Sequence, residues 1–112
     1  MNNKIEGQIG ENLACSYLKK QGYKILKQNY TNKIGEIDII ATKDSCIIFV
    51  EVKNRSSAKF GLPREAVTVY KQNKIRRVAL GYLKETHNLE TEIRFDVIEV
   101  LAGELTHIKN AF

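Results

Sequence analysis

The stretch GEIDIIATKDSCIIFVEVKNR, residues 35–55, decides how this chain is read, because it holds a contradiction. Ile37, Ile39 and Ile40, then Ile47, Ile48, Phe49 and Val50, have the pattern of two strands in a buried sheet. Yet Glu36, Asp38, Glu51 and Lys53 lie inside or directly against those apolar runs. A buried charge is costly unless it is paired or bound to a metal ion. Lys43-Asp44 separates the runs and suits a tight turn, so the two strands form an antiparallel hairpin. Period two sets Ile47, Phe49, Glu51 and Lys53 on one face of the second strand and Ile48, Val50 and Val52 on the other. Both faces begin apolar, which places this strand in the middle of a sheet covered on both sides.

Asp38 and Glu51 are separated by twelve residues, a distance that a tight hairpin closes. Two converging carboxylates repel unless a cation lies between them. Hard oxygen donors favour Mg²⁺ or Mn²⁺, and Mg²⁺ commonly takes one or two carboxylates together with substrate phosphate. Lys53, just beyond Glu51 on the same face, is placed to orient or deprotonate a water and to balance charge in a transition state. The plainer alternative is an ordinary ion pair at a sheet rim, since Glu-x-Lys on its own is common. Glu36 shares a face with Asp38 but stands nearer the turn, which suits a solvated role.

Outward from this hairpin, residues 4–20 form a helix ending at Gly22, a residue suited to a left-handed cap. Gly10, Leu13, Ala14, Tyr17 and Leu18 gather on one side of it, with Glu11 at the border. Gly10 costs the helix about 1 kcal/mol relative to Ala, and close approach to the sheet would explain it. A strand over 23–30 precedes the hairpin strands at 34–42 and 45–54, completing a meander. A loop over 55–67 carries the only proline, Pro63. Thr68 then caps a helix running to residue 85. Strands at 93–101 and 104–109 follow, joined by a turn at Ala102-Gly103. A strand-helix-strand crossover makes the third and fourth strands parallel. The expected order is αβββαββ, a mixed α/β sheet flanked by helices, in a single domain over residues 1–112.

The second helix buries Ile75, Val78, Ala79, Tyr82 and Leu83, while Lys74, Arg77 and Lys84 lie largely on the other side. Lys71 projects onto the apolar face and Gln72 sits near its edge. Both are in the first turn, which should lie near Glu51 and Lys53. A helix N-terminus with a lysine attracts phosphate; the alternative is that these polar residues simply face solvent. Lys71, Lys74, Arg76, Arg77 and Lys84 stand against Glu85 alone, which suits a nucleic-acid backbone or a solvated surface.

The whole chain of 112 residues carries net charge +5 with a pI near 9.3. That excess favours a polyanionic partner without separating DNA, RNA and acidic protein. No stretch is long and apolar enough to span a bilayer, and the polar N-terminus lacks the apolar core of a secretion signal. Cys15 and Cys46 are isolated, as expected of small core residues in a reducing compartment, so a cytoplasmic location is expected. His87 and His107 look lone and exposed, and no role is assigned to them.

GQIGENLACSYL (7–18), GEIDIIA (35–41), FVEVKNR (49–55), FGLPREAV (60–67) and HIKNAF (107–112) together resemble the YraN family of small bacterial proteins. These are predicted endonucleases similar to archaeal Holliday junction resolvases, and the resemblance covers essentially the whole chain. It implies the restriction-endonuclease-like fold and the PD-(D/E)xK nuclease site. The motif's first acid falls on Asp38, its second on Glu51 and its lysine on Lys53; the resolvases' helix-one glutamate falls on Glu11. Ile37 stands where the motif's name has proline, and Val69 where the family's second helix has one. The implied activity is hydrolysis of DNA phosphodiester bonds, with branched DNA as one substrate. Asp38, Glu51 and the Val52 carbonyl would hold Mg²⁺ or Mn²⁺, Lys53 would serve the water, and Glu11 would be a second ligand or base. Arg55, Lys71, Gln72 and Lys74 are the expected nucleic-acid contacts. A homodimer stays open. Two other readings also stay open: a nucleic-acid-binding module that keeps the fold without catalysis, and an interaction protein whose acidic cluster is structural.

Overall fold

A computed structural model of the protein describes residues 3–55 and 67–112. The elements are α1 (Asn3–Lys20), β1 (Lys24–Thr31), β2 (Glu36–Lys43), β3 (Cys46–Arg55), α2 (Val69–Glu85), β4 (Glu92–Leu101) and β5 (Glu104–Ile108). The order αβββαββ and the mixed sheet are as the sequence predicts. Arg55 belongs to β3 rather than to a loop; residues 56–66 of the expected loop, with Pro63, lie outside the described residues.

The five strands lie in sequence order, β1-β2-β3-β4-β5. β1/β2, β2/β3 and β4/β5 are antiparallel, and β3/β4 is parallel, as the crossover through α2 requires. The β2/β3 turn falls one residue later than expected, on Asp44 and Ser45, which both adopt positive φ, 52° and 63°. Two successive positive-φ residues match the twist of a two-residue hairpin.

α1 and α2 cover opposite faces of the sheet. Ile47 and Phe49 of β3 join Ile75, Val78, Ala79, Tyr82 and Leu83 of α2, while Ile48 and Val50 join Ala14, Cys15 and Leu18 of α1. β3 is therefore the buried centre of three layers. On α1, Leu13 is 44% exposed and Cys15 takes the buried place expected of it. Gly10 is buried, and a Cβ there would stand 2.8 Å from the Cβ of Asn54 on β3. The glycine thus permits the close approach to the sheet anticipated from its position.

Thr68 caps α2 in extended conformation, its hydroxyl accepting from the Lys71 N–H at 3.2 Å. Val69 follows without altering the helix start. Among the described residues no helix is long and apolar enough to cross a membrane.

Candidate active site

The β2/β3 ladder is regular from Lys43↔Cys46 to Ile39↔Val50. One step further along this register Asp38 comes opposite Glu51. Here a side chain replaces a backbone partner: the Val52 N–H donates to Asp38 Oδ2 at 2.8 Å. In an extended strand the N–H and C=O of one residue point toward the same edge, so the Val52 carbonyl also faces the β2 side.

The Asp38 and Glu51 carboxyl groups lie close enough for Glu51 to raise Asp38. Burial first, and then the adjoining Glu51 carboxyl, push Asp38 up to about 8, against the pull of the Val52 N–H and Lys71. Glu51 is buried and Glu36 exposed, the latter as expected from its place near the turn.

Period two along β3 carries Lys53 to the same face as Glu51, and the wheel of α2 carries Lys71 down onto that face. Lys71 Nζ lies 3.1 Å from Glu51 Oε2. Burial alone would lower the Lys71 ammonium, but the Glu51 carboxylate beside it outweighs that and raises it. Lys53 moves the other way: burial and the neighbouring Lys71 lower it, opposed by Glu51. Glu11, reaching in from α1, is raised first by burial and then by the charges of Asp38 and Glu36, with a hydrogen bond to Asn29 opposing. Its Oε1 is buried with no hydrogen-bond partner among the described residues.

Gly35, Glu36, Asp38, Glu51, Lys71 and Lys74 line a recess of about 260 Å³. Lys74 therefore turns toward the acids, not to the far side of α2 as the helical wheel suggests. Its Cε would lie 2.9 Å from a Cβ on Gly35, so the glycine leaves room for the lysine stem. A larger recess of about 680 Å³ runs along β1 past Lys19, Lys24 and Lys27 and holds no carboxylate.

Two expected contacts are engaged elsewhere. Gln72 Nε2 donates to the Val67 carbonyl at 2.9 Å, tying down the entry to α2. Arg55 pairs with Glu99, which is buried on β4 in register with Lys53. Glu99 thus borders the site, and the sequence reading gave it no role.

A second buried cluster, on the α1 side, was missed entirely. His107 is 4% exposed at its side chain, where a lone exposed histidine was expected. Its Nε2 meets Asp96 Oδ2 at 2.7 Å and its Nδ1 meets the Tyr17 hydroxyl at 2.9 Å. Arg94 donates twice to Asp96 and once to the Tyr23 hydroxyl, and the Asn110 N–H donates to Asp96 Oδ1. Burial would raise Asp96, but His107, Arg94 and Asn110 together bring it below the ordinary carboxylate value. The available signal was the charge inside the apolar run FDVIEV, the same kind of contradiction that marks residues 35–55.

The acid pair fits a divalent cation. Its donors are hard oxygens, and a cation between the two carboxyl groups would relieve the repulsion that raises Asp38. Among the described residues no three His, Cys, Asp or Glu side chains gather as a complete ligand set. A metal here would complete its shell with the Val52 carbonyl, water and substrate oxygen.

A family model described as "Uncharacterised protein family UPF0102" matches residues 10–100. The chain is 54% identical over 114 residues to a UPF0102 protein of Clostridioides difficile (strain 630), with all of both chains covered. It is 52% identical over 118 residues to a UPF0102 protein of Alkaliphilus oremlandii (strain OhILAs), again with full coverage of both. With a UPF0102 protein of Caldanaerobacter subterraneus subsp. tengcongensis the identity is 46% over 119 residues, covering 100% of this chain and 98% of that one. The chain belongs to the UPF0102 family, the family that its sequence resembles under the name YraN.

Proposed function

We propose that this protein is a metal-dependent nuclease that hydrolyses phosphodiester bonds in DNA. One observation carries the reading: the Asp38 and Glu51 carboxyl groups come together at the end of the β2/β3 ladder with Lys53 and Lys71 beside them. An acid pair with its own cations, opening on a recess rimmed by Lys74, is what a phosphodiester and a hard cation together require.

Asp38, Glu51 and the Val52 carbonyl would hold Mg²⁺ or Mn²⁺. When bound, such an ion supplies positive charge against a phosphodiester oxygen and acidifies water. Lys53 would orient the attacking water, and in its neutral form, brought nearer by the lowering of its ammonium, would take the water's proton. Lys71 and Lys74 would meet phosphate at the rim, with Lys71 exchanging Glu51 for the substrate. Glu11 stands behind Asp38 as a further acid, placed to bind a second ion or to relay a proton.

One feature favours a second reading. The Lys71–Glu51 ion pair already satisfies one of the two acids, as suits a module that binds nucleic acid without cutting it. The two readings separate on incubation with Mg²⁺ or Mn²⁺ and linear, single-stranded or four-way-junction DNA. Cleavage by wild type, reduced on the order of 100-fold in Lys53→Met with DNA binding retained, supports the nuclease. Binding without cleavage on every substrate supports the module.

A further inference from the structure

Val69 and Tyr70 open α2 with 69% and 77% of their surfaces exposed, and neither belongs to a core cluster among the described residues. The next residue, Lys71, grips Glu51. Tyr70 and Lys74 are four residues apart on the helix and so are surface neighbours, and Lys74 lines the recess with Asp38 and Glu51. Asn73 and Arg77, both exposed, continue the stripe away from the mouth. A helix N-terminus ordinarily favours acidic side chains, yet the first turn of α2 has none. An exposed aromatic ring therefore stands at the head of a cationic stripe that begins at the acid pair.

We propose that Tyr70 is a stacking platform for one unpaired base of a nucleic-acid strand whose neighbouring phosphate lies against Lys71 and Lys74. This deepens the nucleic-acid reading given above and rests on it. A ring beside backbone-tracking cations is how single strands are held without sequence preference, because every base has a π-face. A tyrosine ring offers that area with little conformational entropy to lose. In continuous duplex the base faces are already covered by their neighbours, so the platform selects single-stranded or splayed nucleotides.

The chain contains no tryptophan, so Tyr70→Trp supplies a single reporter. A short oligothymidylate should quench its fluorescence, and a blunt duplex of equal length should not. By direct titration Tyr70→Ala should lose roughly tenfold or more in affinity for the oligothymidylate. Tyr70→Phe should keep wild-type affinity. Neither change should alter the salt dependence, because no charge is removed. The side chain is exposed, so the thermal midpoint of Tyr70→Ala should match wild type. If wild type binds the single strand and Tyr70→Ala binds it equally, or duplex quenches the tryptophan as well as single strand does, the platform is wrong and the nucleic-acid reading stands. If wild type binds neither strand form nor a four-way junction, both fall together.

Discussion

At Asp38 the folded chain holds a proton that the unfolded chain releases near pH 4, because folding pushes the carboxyl up to about 8. A raised acid binds more protons in the folded state, so stability is greatest below the unfolded value and falls as pH rises from about 4 to about 8. In chelator, wild type should lose stability across that window. Asp38→Asn keeps an acceptor for the Val52 N–H and has no proton to lose. Urea unfolding should find it flatter with pH and, at pH 8, more stable by on the order of 2 kcal/mol, a figure reduced for the partial exposure of the carboxyl. Parallel profiles would show that folding does not raise the Asp38 carboxyl. Asp96 presents the opposite case, a carboxylate with ample partners. Asp96→Ala would strand Arg94 and His107 and should cost about 3–5 kcal/mol, read from the urea midpoint. Asp38, Glu51 and Lys53 were legible because a hairpin and period two fix their neighbours within a short span. The Tyr17–His107 and Tyr23–Arg94 contacts join residues 90 and 71 positions apart, and no local pattern announces such pairs.

Among the elements, α1 shows where helical periodicity informs and where it fails. Gly10 was legible as a close-approach residue because an apolar helical face has no other use for it. Leu13 was misassigned because the packed stripe runs through Ala14, Cys15 and Leu18, and a wheel does not say which edge meets the sheet. Gly10→Ala isolates the packing term. Helix propensity alone would reward alanine with about 1 kcal/mol, but the new Cβ would stand 2.8 Å from the Asn54 Cβ, close to backbone with little room to yield. The variant should be destabilised by about 1–3 kcal/mol in thermal or urea unfolding. A more stable variant would mean that α1 does not press so closely on β3. α2 was read with fewer errors because Thr68, Lys71 and its apolar face agree on one orientation. Two residues depart: Gln72 turns back to the Val67 carbonyl, and the long stem of Lys74 bends over Gly35 to reach the recess.

For the molecule as a whole, the order of elements was recoverable because turn residues, alternation and helical faces agree along the chain. The two helices cover opposite faces of one sheet, and the site lies where β2 and β3 leave their ladder, between Glu11 of α1 and Lys71 of α2. Each layer thus contributes a charged side chain to one place, at one end of the sheet. The central claim is that Asp38 and Glu51 form a cation site, and calorimetric titration with Mn²⁺ near neutral pH tests it without requiring a substrate. Wild type should bind one ion per chain and release a proton as it does, while Asp38→Asn should bind more weakly by on the order of tenfold or more. Equal binding by the two proteins, or no binding by wild type, would contradict the account.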